Sequence, residues 1–88
     1  MKVRIDQTFR KDLNKLKDKQ LEKKVANIIE AILKANKLSE VKNLKKLQGS
    51  DKYFRIRCGD YRMGLIFENE ECIIVRILHR KEIYRFFP

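Results

Sequence analysis

Arg55, Arg57 and Arg62, followed by His79, Arg80 and Tyr84, are the residues whose types and spacing suit chemistry in this chain. A guanidinium is a planar fork that grips phosphate and stays charged at any physiological pH. His79 is the only histidine, and imidazole is the side chain that ordinarily titrates near neutrality. Tyr84 offers a ring to stack on a base, or a hydroxyl to orient a phosphate. The set has no paired carboxylates, no Ser or Cys beside a base, and no His/Cys/Asp cluster at metal-ligand spacing. The chain also lacks a Gly-rich phosphate loop. These residues point away from a metal-dependent nuclease, and no cofactor is expected. They support metal-free cleavage of RNA, in which the substrate's own 2′-hydroxyl attacks the adjacent phosphate. Such a site needs a proton acceptor, cations around the phosphorane, and a proton donor for the leaving 5′-oxygen. Arg57, Arg62, His79, Arg80 and Tyr84 are the candidate catalytic residues, and His79 is the one suited to moving a proton. Arg55, Lys45 and Lys46 are candidate substrate-binding residues.

A β-hairpin must position the arginines. Tyr53 to Cys58 and Tyr61 to Phe67 alternate in polarity around Gly59-Asp60, and a Gly-X pair suits a two-residue type II′ turn. That loop sets the register: Cys58 opposite Tyr61, Arg57 opposite Arg62, Ile56 opposite Met63, Arg55 opposite Gly64. One face then carries Phe54, Ile56, Cys58, Tyr61, Met63, Leu65 and Phe67, a core face. The other carries Tyr53, Arg55, Arg57, Arg62, Gly64 and Ile66, with the glycine expected to leave a hollow. Like charges directly opposite cost a few tenths to about 1 kcal/mol. A fold that keeps such a pair has a use for it, and a phosphate is the obvious one. The plainer alternatives are a solvated outer face, a structural histidine at a strand end and a packing tyrosine.

The rest of the chain reads in order. Lys2 to Ile5 is a short first strand, and Asp6 or Thr8 caps the helix after it. Phe9, Leu13 and Leu16 mark one face of that short helix. Beyond a break near Asp18, Leu21, Val25, Ile28, Ile29, Ile32 and Leu33 mark a longer one, from about Lys19 to Lys34 or Asn36. Residues 35–51 are less regular. Ser39 is placed to cap a short turn with Val41, Leu44 and Leu47 inward, while Lys42, Lys45 and Lys46 face out. Glu68 to Glu71 is a polar turn, and Cys72 to Leu78 a nearly continuous apolar strand interrupted by Arg76. An even-length loop puts Ile73, Val75, Ile77 and His79 on the face of Arg62. It also places Arg76 among core residues, where it must reach an edge or a partner. The tail from His79 predicts a short turn or helix with Ile83 and Phe87 packed down and Tyr84 at the rim. The sum is one α+β domain over residues 1–88. An N-terminal strand and two-helix hairpin pack on a three-stranded antiparallel sheet, whose other face is a shallow basic concavity.

Composition fits one small core. Lys and Arg total 22 against 12 acidic residues, a net charge of +10, which favours a polyanionic partner. Residues 1–50 hold twelve lysines and two arginines, and residues 51–88 two lysines and six arginines. The first part is thus a diffuse cationic surface, the second a specific site. No apolar run approaches the roughly 20 residues that span a bilayer, and the N-terminus has no signal-peptide core, so a cytosolic protein is expected. Cys58 and Cys72 fall too far apart in the sheet for a disulfide and are expected to be reduced.

Three stretches together resemble the RelE/ParE family of toxins from bacterial and archaeal toxin–antitoxin pairs: Leu44-Lys45-Lys46-Leu47-Gln48-Gly49, Tyr53 to Gly64, and His79-Arg80-Lys81-Glu82-Ile83-Tyr84. The resemblance covers nearly the whole chain. It implies a fold related to microbial ribonucleases, and a cognate antitoxin that wraps the toxin. For the RelE branch it implies mRNA cleavage in the ribosomal A site. Arg55 and Arg57 fall where RelE-type toxins carry basic residues on the same strand. Arg62 matches the basic residue after the turn, Arg80 the C-terminal basic residue and Tyr84 the terminal tyrosine. Some RelE-type toxins have lysines on that first strand, one acting in proton transfer. Arginine is a poor base, which shifts that role to His79 or leaves the chemistry to charge and positioning with ribosomal help. Two other functions stay open: a ParE-like inhibitor of DNA gyrase without nuclease activity, and a non-catalytic basic RNA-binding module. The charge further predicts an acidic, partly disordered antitoxin segment over the helices or the basic face.

Overall fold

The computed structural model describes residues 1–88. Two aspartates punctuate its helical hairpin. After strand β1 (Lys2–Ile5), Asp6 accepts a hydrogen bond from the Thr8 N–H at 3.0 Å and starts helix α1, Gln7–Leu16. Asp18 accepts from the Leu21 N–H at 3.1 Å and starts α2, Lys19–Lys34. Each carboxylate satisfies a donor that the first helical turn leaves free. Ser39 caps nothing: the 3₁₀ turn Leu38–Glu40 starts from Lys37 without a side-chain cap.

The sheet has five strands, not three antiparallel ones with a separate first strand. β2 (Leu44–Lys46), β3 (Tyr53–Cys58), β4 (Tyr61–Glu68) and β5 (Glu71–His79) come in sequence, and the spatial order is β1-β5-β4-β3-β2. β1 runs parallel to β5, so the sheet is mixed. The β3–β4 register is the expected one, with Arg57 opposite Arg62 and Arg55 opposite Gly64. Gly59 has φ +61 and Asp60 stays at negative φ, which fits the II′ turn. Asn69 and Glu70 both take positive φ, as a two-residue I′ turn requires.

β5 departs from the expected register. Cys72, Ile73 and Ile74 face Phe67, Ile66 and Leu65, but Gly64 faces Arg76, so Val75 is an extra residue. This β-bulge reverses the parity of everything after it. Ile77 and His79 pair with Met63 and Tyr61 on the core face, not with the face of Arg62.

The helices cover that core face. Phe9, Leu21, Val25 and Ile32 meet Ile56, Cys58, Met63, Leu65, Cys72, Ile74 and Ile77, all almost fully buried. Each large aliphatic or aromatic side chain there contributes roughly 1.5–3 kcal/mol. Both cysteines are free thiols. Burial raises the pKa of each, that of Cys72 to about 11.

Arg76 finds its partner on α1. Its Nε and Nη2 donate to the two oxygens of buried Asp12 at 2.8 and 3.0 Å, and the Ile77 N–H donates to the same carboxylate at 3.1 Å. β1 pairs with β5 only as far as Ile74, so the Ile77 N–H would otherwise be an unpaired edge donor. Asp12 closes the edge and neutralises the arginine together.

The opposite face of the sheet is only partly open. The short helix α3 (Ile83–Phe86) returns across it, with Ile83 and Phe87 buried. Phe87 meets Tyr53 edge-on, with ring centroids 5.8 Å apart. The same ring fills the space above Gly64, where an added Cβ would lie 2.7 Å from it. The hollow expected at Gly64 is therefore occupied by the chain itself.

Candidate functional site

What remains of that face is a cleft of about 440 Å³ lined by Asn43, Leu44, Lys45, Arg55, Arg57, Arg62 and Tyr84. Sheet geometry builds it in two rows. Leu44 pairs with Ile56 and Lys45 with Arg55, and the Arg57 N–H donates to the Asn43 carbonyl at 3.4 Å. One row across the strands is therefore Asn43, Arg57 and Arg62, and the next is Lys45, Arg55 and Gly64. Phe87 covers the glycine, and Tyr84 stands over its neighbour.

Four cations meet in this cleft and no carboxylate lines it. The chain's five ion pairs use Arg4, Lys34, Lys46, Lys52 and Arg76, and none of the four. Arg62 is held in place by the turn that precedes it: its Nη1 donates to the carbonyls of Gly59 and Tyr61, both at 2.9 Å. A guanidinium has five donors, so the Nε and Nη2 hydrogens stay free for a ligand. Arg55 lies 4.6 Å from the Tyr84 ring centroid, a cation–π contact. That contact steers a tyrosine that is 72% exposed. The cleft presents converging positive charge beside an aromatic face, which suits a phosphate with its attached base.

The remaining candidates lie elsewhere. His79 shares the face of Tyr61, meeting its ring edge-on at 5.6 Å, and its Nδ1 accepts from the Lys81 N–H at 3.2 Å. It lines a separate hollow with Asp12, Lys15, Arg76 and Glu82. The bulge at Val75 is the cause. Arg80 sits exposed in the turn after β5, its N–H donating to the Asp60 carbonyl at 2.8 Å. Lys46 is paired with Asp51 at 3.0 Å and borders a neighbouring hollow beside Phe87 and Pro88. Asn43 was not among the expected residues. Its signal in the sequence is an Asn two residues ahead of a lysine pair, and Asn is one of the few residues that tolerate φ +62.

The match to known proteins decides the family. Residues 3–84 match the family described as the ParE toxin of the type II toxin–antitoxin system parDE. The chain belongs to the RelE/ParE family of type II toxins. It is 40% identical to toxin RelE3 of Methanocaldococcus jannaschii across the whole of both chains, which places it on the RelE branch. Its structure is similar to the toxin in the RelB–RelE antitoxin–toxin complex from Methanococcus jannaschii, with a TM-score of 0.80 and 38% identity. That match covers 97% of this chain and 99% of the other. It is also similar to the RelBE2 complex from Mycobacterium tuberculosis, with a TM-score of 0.59 and 26% identity over 90% and 96% of the two chains. The five-stranded mixed sheet, helical hairpin and short C-terminal helix of this toxin are thus the RelE fold.

Proposed function

We propose that this toxin is a ribosome-dependent mRNA endonuclease. The observation that carries the proposal is the cluster of Lys45, Arg55, Arg57 and Arg62, four cations without a counter-ion around an exposed tyrosine. The 2′-oxygen attacks the adjacent phosphorus, the bond from phosphorus to the 5′-oxygen breaks, and a 2′,3′-cyclic phosphate and a 5′-hydroxyl result. Arg57 and Arg62, opposite each other, hold the charge that grows on the phosphorane oxygens, where fixed cations act most strongly. Arg55 and Lys45 hold the neighbouring backbone, and Tyr84 stacks on a base and fixes the strand. Arginine gives up no proton at working pH, and His79 faces the other side of the sheet. The 2′-hydroxyl proton therefore passes to solvent or a ribosomal group, and the leaving oxygen takes one back from that pool. The protein contributes charge and geometry, and the ribosome aligns the strand.

The partner that restrains the toxin is proposed to be a RelB-type antitoxin, since two of the similar structures are complexes of that kind. Its neutralising segment is expected to be acidic, given the +10 charge, and its affinity to fall with salt. A second function has one observation behind it, the match to a ParE description: inhibition of DNA gyrase. Pulse labelling after induction separates the two. A nuclease halts methionine incorporation first and leaves mRNAs shortened. A gyrase inhibitor halts thymidine incorporation first, with mRNAs intact.

A further inference from the structure

We infer that Asn43 is a specificity residue: its side-chain amide reads the base of the nucleotide whose phosphate Arg57 and Arg62 hold. The inference rests on the nuclease proposal and concerns the same cleft.

Asn43 is the one neutral hydrogen-bonding amide in a lining otherwise made of four cations, a leucine and a tyrosine. Cations hold the backbone of any sequence, and a stacking ring accepts any base. The amide is different, because it presents one acceptor and two donors at fixed angles. It can therefore discriminate between base edges. An amide pairs adenine through N6 and N7 with two hydrogen bonds, and bases splayed from a single strand expose those edges.

Position supports the role. Asn43 ends the row that contains Arg57 and Arg62, one strand beyond Arg57. Adjacent strands lie about 4.8 Å apart, so a base attached to a phosphate between the two arginines reaches the amide without leaving the sheet surface. The Asn43 backbone is fixed as well. Its carbonyl is bonded to the Arg57 N–H, and φ +62 commits it to the left-handed region. Its side chain makes no hydrogen bond within the protein, and is exposed. The reader is thus held rigidly at its backbone and is free at its amide.

A structural role and a reading role separate cleanly at this position. Glycine takes φ +62 without strain, so Asn43→Gly keeps the turn and removes only the amide. The experiment maps cut positions on a set of mRNAs in a translating extract for the unsubstituted protein and Asn43→Gly, with Tm measured for both. The expected result is an adenine bias at the cut in the unsubstituted protein. In Asn43→Gly that bias flattens by about fivefold or more, with total cutting reduced less than threefold and Tm unchanged. An unchanged distribution of cuts overturns the inference, since the residue then serves only the turn. A uniform loss at every position also overturns it. If the unsubstituted protein cuts nothing, the nuclease proposal itself has failed, and the inference falls with it.

Discussion

Arg76 and the Arg57–Arg62 pair lie on one sheet and are treated in opposite ways. Arg76 has its charge matched: both oxygens of Asp12 accept from it, and that carboxylate is 8% exposed. Arg57 and Arg62 face each other, neither of them in an ion pair, in a cleft that no carboxylate lines and that also holds Arg55 and Lys45. An arginine that serves the fold is paired, because an orphaned, half-buried charge is expensive. An arginine kept without a counter-ion next to others like it costs a little stability, and the two bonds of Arg62 to its own turn leave its charge unmatched. On the proposed function, the cleft cluster is half of an ion-pair network whose other half is the substrate. The other lysines of residues 1–50 do not provide that contrast, since they are exposed and spread over strands, helices and turns.

The largest effect should come from the unpaired side. Arg57→Ala/Arg62→Ala is expected to lower mRNA cleavage by at least about 100-fold, the scale for losing preorganised charge at a transition state. Its stability by urea unfolding should stay within about 1 kcal/mol of the parent, because a repulsion is removed along with the charges. On the paired side the balance reverses. Asp12→Ala is expected to cost about 2–4 kcal/mol in the same unfolding assay, since it strands both Arg76 and the Ile77 N–H. Equal stability losses in the two variants would erase the distinction.

Much of this contrast was legible in the sequence, and the illegible part has definite causes. The hairpin could be read because Gly59-Asp60 dictates a turn length, and the turn length dictates that Arg57 meets Arg62. The helices could be read from apolar periodicity and, for the first, from Asp6 or Thr8 as the cap; Asp18 marked only a break in the sequence and proved to be the second cap. Strand β2 could not, because Leu44-Lys45-Lys46 is too short to show alternation. Its lysines suit an edge strand and resemble a loop. The bulge at Val75 was equally silent: an unbroken apolar run looks the same with or without an extra residue, yet it moved His79 to the other face. The Asp12–Arg76 pair joins residues 64 apart. Only the demand that Arg76 find a partner was visible, not where that partner stood.

Two smaller effects sharpen the comparison. Tyr84→Ala is expected to cut cleavage by about 10-fold through lost stacking, since each stacked base contributes about 1–3 kcal/mol. Tyr84→Phe should retain most activity, and neither change should move Tm, because the residue is 72% exposed. Acidity supplies the last test. Burial holds the Cys72 thiol at about 11, above its ordinary 9.0. The folded chain therefore binds that proton more tightly than the unfolded one. The associated stability is complete below pH 9 and is lost as pH rises toward 11. Urea midpoints should accordingly decline between those values by less in Cys72→Ala than in the parent.

The most direct measurement is primer extension on mRNA translated in a cell-free extract. It compares the protein, Arg57→Ala/Arg62→Ala and the same mRNA without ribosomes. Cuts at discrete positions that require ribosomes and vanish in the double variant are the predicted result. Intact mRNA with a folded, toxic protein would contradict it, as would cutting that survives the loss of both arginines.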